Sequence, residues 1–105
     1  MNDSQAQPAA GAPPEMIAAV RGDAATRAGV AVSAVKIESA QSVTWPDASL
    51  GCPRPGMLYP QVLVPGWRVL VVAGGKTYAY HAGPRGSWAW CPADRAQAPL
   101  PSKSI

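Results

Sequence analysis

Phenylalanine is absent from this chain, histidine occurs once, and only 14% of its 105 residues carry charge. Each scarcity excludes something. With one histidine and two cysteines, a tetrahedral zinc site lacks a fourth ligand, and there is no CxxC pair to suggest one. There is no GxSxG elbow, no phosphate-cradling glycine loop and no carboxylate pair at a set spacing, so no cofactor is expected and catalysis finds little support. A hydrolytic enzyme built on Ser49 and His81 ranks third among the readings.

Long hydrophobic runs are missing too. The longest, Val69 to Ala73, is strand-sized, far short of the ~20 residues of a membrane span. The net charge of +3 is mild and the basic residues are scattered from Arg21 to Lys103, which argues against a nucleic-acid partner. The start shows no basic head followed by an apolar core, so no signal peptide is visible. The Ala/Pro/Gln-rich opening is nevertheless what a processed exported protein presents. A periplasmic or extracellular location is the expectation, and the cytoplasm is the alternative.

What the chain does have is proline, glycine and tryptophan in regular punctuation. Residues 1–13 and 93–105 offer little to bury, so a disordered leader and a flexible tail are expected around one domain over 14–92. Pro13-Pro14-Glu15 opens a helix, with proline tolerated and an acid favoured in the first turn. Met16, Ile17, Val20, Ala24 and Ala28 then recur at helical spacing, opposite Arg21, Asp23 and Arg27. Gly29 is a natural left-handed stop, and Gly22 suggests a close approach of helix to sheet.

From Ala34 the period becomes two and runs to Trp45, with a weak middle at Ser39-Ala40-Gln41 that predicts a bulge. Asp47 to Pro60 is a structured loop rich in turn residues. A short strand over Gln61–Val64, kinked at Pro65-Gly66, continues as Trp67–Ala73. Gly74-Gly75 signals a two-residue hairpin, which pairs Arg68 with His81, Val69 with Tyr80 and Val71 with Tyr78. Ser87 to Cys91 is the last strand. Helix followed by meander gives an α+β fold: one N-terminal helix packed on a curved antiparallel sheet of about four strands, in two layers.

The hairpin puts Trp67, Val69, Val71, Tyr78 and Tyr80 on one face, expected to be the buried one because it carries more apolar area. If the helix covered Leu70 and Val72 instead, the aromatic face would be a binding surface. Cys52 and Cys91 sit at proline-flanked ends of elements that the meander should bring together, so an intramolecular disulfide is expected. Two buried free thiols are the alternative.

Trp45, Asp47, Leu50-Gly51-Cys52, Pro55-Gly56, Val64-Pro65-Gly66-Trp67-Arg68, Tyr78, Tyr80-His81 and Cys91 together resemble a group of small uncharacterised bacterial domains, often exported, over about residues 30–92. Those domains have no assigned activity. In architecture alone the chain also resembles PepSY and cystatin-like folds, which implies peptide binding or protease inhibition. The reading that follows is a monomeric, non-catalytic peptide- or protein-binding domain. The second reading is a small anion or carboxylate binder centred on Arg68 and His81, with Trp45 and Asp47 beside them. Arg68 should hold His81 neutral by charge repulsion. The plainer alternative pairs Arg68 with Asp47 and leaves His81 capping a turn.

Overall fold

The computed structural model describes residues 11–101. Helix α1 spans Pro14–Ala28, a single 3₁₀ turn covers Val32–Ala34, and four strands follow: β1 Lys36–Trp45, β2 Val64–Ala73, β3 Lys76–Ala82 and β4 Trp88–Cys91. The strands form one antiparallel sheet in the order β1-β2-β3-β4. This is the α+β arrangement expected, a helix on a four-stranded meander. The first ten residues of the expected leader, and 102–105 of the expected tail, lie outside the described residues.

The helix begins and ends where its residues require. Pro14 occupies the first helical position, where its missing N–H is no loss, and Glu15 follows in the first turn. At the other end Gly29 adopts φ 71°. Its N–H donates to the Thr26 carbonyl while that of Val30 donates to Ala25, the paired closure of a Schellman motif. Met16, Val20, Ala24 and Ala25 are buried, with Ile17 and Ala28 partly so. Gly22 is not explained by close packing, because a Cβ placed there meets nothing within 4 Å.

The inner face of the sheet meets this helix. Val69, Val71 and Tyr80 are fully buried against it, and Trp67, Tyr78, Trp88 and Trp90 pack around them. Each fully buried valine contributes about 1.5–3 kcal/mol relative to exposure. The hairpin register agrees with the Gly74-Gly75 turn: Arg68 opposes His81, Val69 opposes Tyr80 and Val71 opposes Tyr78. The bulge in β1 falls between Ile37 and Ser39, just before the position expected. Residues 61–63 are not strand; β2 starts at Val64 and runs unbroken through Pro65-Gly66.

One polar seam ties helix to sheet. The Tyr80 hydroxyl donates to Asp23 Oδ2 at 2.6 Å, and Arg27 Nε donates to the same oxygen at 2.5 Å. The Arg27 guanidinium also sits 4.1 Å above the Trp90 ring, an attraction between cation and ring face. Asp23 and Arg27, expected on the solvent side of the helix, therefore flank the core.

The opposite face of the sheet is covered at one end by chain without regular structure. The β1–β2 connection folds back over it, and Cys52 is joined to Cys91 of the edge strand by a disulfide with a Cα–Cα distance of 5.9 Å. Beyond β4 the chain crosses the same face, held by Gln97 N–H to the Gly51 carbonyl and Leu100 N–H to the Thr44 carbonyl.

Two outcomes follow for stability. Reducing the disulfide releases the Cys52–Cys91 tie and frees a long loop in the unfolded chain, so urea unfolding with and without reductant should differ by about 3–4 kcal/mol. Tyr80→Ala should cost about 3 kcal/mol or more through lost packing, and Tyr80→Phe about 1–2 kcal/mol through the Asp23 hydrogen bond alone. A Tyr80→Ala loss below about 1 kcal/mol in the same assay would contradict the packing described.

Candidate functional site

The outer face takes its character from Trp45, the last residue of β1. Antiparallel register places Trp45 opposite Val64 and Val43 opposite Gly66, so the indole lies over β2 toward β3. Its Nε1–H donates to the Ala82 carbonyl at 3.0 Å. That reach crosses Gly66, where a Cβ would collide with the Ala82 carbonyl oxygen and crowd Trp45 Nε1. The indole stacks on His81, ring centroids 4.5 Å apart and planes inclined by 21°. Above it lies Gly51, where a Cβ would approach Trp45 Cζ3 to 2.5 Å.

Asp47 shapes the cover. Its Oδ1 accepts the Ser49 N–H at 2.8 Å, and its carbonyl accepts the Leu50 N–H. Hydrogen bonds from Ser49, hydroxyl first and then backbone, hold the Asp47 carboxyl below its ordinary range. The turn puts Leu50 at φ 56°, a left-handed conformation that costs a branched side chain about 1–2 kcal/mol. There its carbonyl meets His81 Nδ1 at 2.6 Å. Since a carbonyl only accepts, Nδ1 carries the imidazole proton.

His81 is only 2% exposed. Burial lowers its pKa, the Leu50 carbonyl pulls the other way, and the nearby Arg68 charge lowers it again. Arg68 thus acts in the direction expected, but burial is the larger cause. Arg68 and His81 oppose each other across the hairpin, yet they are not an exposed pair: the imidazole is sealed beneath the loop, and Arg68 stands at the edge of the cover. Arg68 makes no ion pair with Asp47. Among the described residues the sole ion pair is Arg27–Asp23, and Arg68 Nε is buried without a hydrogen-bond partner.

Trp45, Asp47, Arg68 and His81 therefore occupy one region, with three of them committed to holding the loop. Residues outside that set also matter. Gln41 and Thr44 line a groove with Arg68, and Met57 and Leu58 stand out from the loop. The Asp23–Arg27 spacing of four was a visible signal for a helical ion pair; nothing local marked Leu58 as exposed. Among the described residues no cluster of three or more His, Cys, Asp or Glu side chains could hold a metal ion, and no helix is long and apolar enough to cross a membrane.

Residues 17–91, from the second turn of α1 to the disulfide cysteine of β4, match the family described as Domain of unknown function (DUF8738). The chain belongs to the DUF8738 family. No curated protein and no solved structure shows significant similarity to it. The DUF8738 match takes in the sheet, the stacked Trp45–His81 pair, the covering loop and both cysteines.

The buried imidazole makes the stability of this DUF8738 domain depend on pH. A histidine whose folded pKa lies below the unfolded value of about 6.5 stabilises the fold fully above that pH. The contribution is lost as pH falls from about 6.5 through the folded value. Urea midpoints should therefore drop between pH 7.5 and 5, and His81→Gln should flatten that slope. Asp23 acts in a lower window. Burial works to raise its pKa, but hydrogen bonds from Tyr80 and Arg27 outweigh it and the net shift is downward. Its contribution is present above the ordinary carboxylate pKa of about 3.9 and lost below it.

Proposed function

We propose that this DUF8738 domain is a non-catalytic protein-binding module of an oxidising compartment, and that the β1–β2 loop presents its contact surface. The observation that carries this reading is the exposure of four apolar side chains within seven residues. Leu58 is 96% exposed, and Met57, Val62 and Leu63 are each more than half exposed. Such side chains lower the free energy of the chain in water only when something covers them.

The loop that bears them is preorganised. Tyr59 OH accepts the Arg54 N–H, the Arg54 carbonyl accepts the Met57 N–H, and the Pro60 carbonyl accepts the Ala48 N–H. The disulfide anchors the segment at Cys52. A contact surface already ordered loses less entropy on binding. Intramolecular disulfides persist in secreted and periplasmic proteins, which supports export. The imidazole, closed off from solvent with Nδ1 bound to a carbonyl, supports binding rather than proton-transfer catalysis.

The test is site-specific photo-crosslinking in the native host, with the reactive group at Leu58 and a control at exposed Glu38. A discrete adduct from position 58 alone, lost in a Met57→Ser variant, is expected. Equal adducts from both positions, or none, would refute the reading. Met57→Ser should shift stability by no more than about 0.5 kcal/mol, as for other exposed positions.

A further inference from the structure

The cover on the outer face stops short of Arg68. Between the exposed part of β1–β2 and the returning segment 98–101 lies an open groove of about 920 Å³, lined by Gln41, Thr44, Pro65 and Arg68 on the sheet side. Its far wall is Ala98 to Pro101, held in place by Leu100 N–H on the Thr44 carbonyl. The volume falls within the range of small-ligand sites.

Among the described residues, the charge in this groove is uncompensated. Of the described residues lining it, Arg68 is the one cation and none is acidic. Arg68 Nε is removed from water and has no acceptor among the described residues. A guanidinium offers its N–H groups as a fork matched to a carboxylate; Nε is enclosed, so the contact falls to the part of this half-buried side chain that lines the groove. The remaining walls are an amide, hydroxyls and the apolar surfaces of Val43, Pro65, Pro99 and Leu100. One positive charge balances one negative charge, which favours a carboxylate over a phosphate dianion. The apolar walls favour a body with little polarity of its own.

We propose that this groove binds an apolar monocarboxylate, with Arg68 taking the carboxylate and Gln41 beside it as a second hydrogen-bond donor. The site is separate from the exposed loop, and neither reading depends on the other. The ligand chemistry has two sources, a small organic acid or the C-terminus of a peptide ending in an apolar residue.

Both can be tested by following the Arg68 Nε–H and backbone amide resonances of the whole chain by NMR. Hexanoate is compared with hexanamide, and N-acetyl-Ala-Leu with its C-terminal amide. Saturable shifts at Arg68, Gln41 and Thr44 are expected from at least one free acid, with the matching amide about tenfold weaker or silent. Arg85→Gln should leave the titration unchanged, and Arg68→Gln should abolish it. A stronger response to hexanoate identifies a free acid, and a stronger response to the dipeptide identifies a peptide terminus; either supports the site. Equal responses to acid and amide, no response to either acid, or shifts that persist in a folded Arg68→Gln variant would overturn it. Should Arg68→Gln not fold, the acid–amide comparison on the unaltered chain decides alone.

Discussion

An indole with no exposed surface sits on the side of the sheet that the helix does not cover, and most of the outer face is arranged around that fact. Trp45 needs apolar contact on both ring faces and an acceptor for its N–H. His81 supplies one ring face, the Gly51 backbone closes over the other side, and the Ala82 carbonyl takes the proton. Each provision constrains something else. Gly66 must lack a side chain for the indole to reach across β2, Leu50 must be left-handed for its carbonyl to meet His81, and Asp47 must close the turn that makes this possible. The disulfide then fastens the cover to the far edge strand, where loop entropy would otherwise favour opening.

The two faces of the sheet are stabilised by different means. Toward the helix, valines and alanines pack closely, and the polar seam of Asp23, Tyr80 and Arg27 lies at the margin, where water still screens it. Away from the helix no regular element among the described residues supplies a matching surface, so a stacked aromatic pair and turn-forming residues do so. A loop that must bury a tryptophan while remaining largely at the surface ends with its other apolar side chains facing water. Met57 and Leu58 are outcomes of that geometry as well as candidates for contact.

Arg68 occupies the boundary between the covered and uncovered parts of the outer face. Its neighbour across the hairpin is sealed and neutral, and the guanidinium, with no counter-charge among the described residues, faces the groove. A site at the limit of a structural cover draws rigidity from the fold without being required by it. A fold class does not by itself fix function, so a functional reading rests on such placements rather than on the helix-and-meander frame.

Much of the frame was legible in the residues alone because local rules decide it. Pro14 and Gly29 bound the helix through fixed φ and left-handed φ, and Gly74-Gly75 sets the register of β2 and β3, hence the side on which every residue of the hairpin lies. The pairing of Cys52 with Cys91 was legible from their positions at the ends of elements that a meander brings together. The candidate site was legible only as a neighbourhood: register alone places Arg68 beside His81, but not whether either is wet. What tertiary structure decided was cover and partnership. Asp47 could meet Arg68 or its own turn, and the turn wins because the Ser49 N–H is two residues away and already oriented. Asp23 could face water or Tyr80, and helix rotation on the sheet chose Tyr80. The first outcome is local; the second, like the sealing of His81, depends on long-range packing of helix and loop that no spacing along the chain encodes, because burial is a property of what lies above a residue and not of the residue itself.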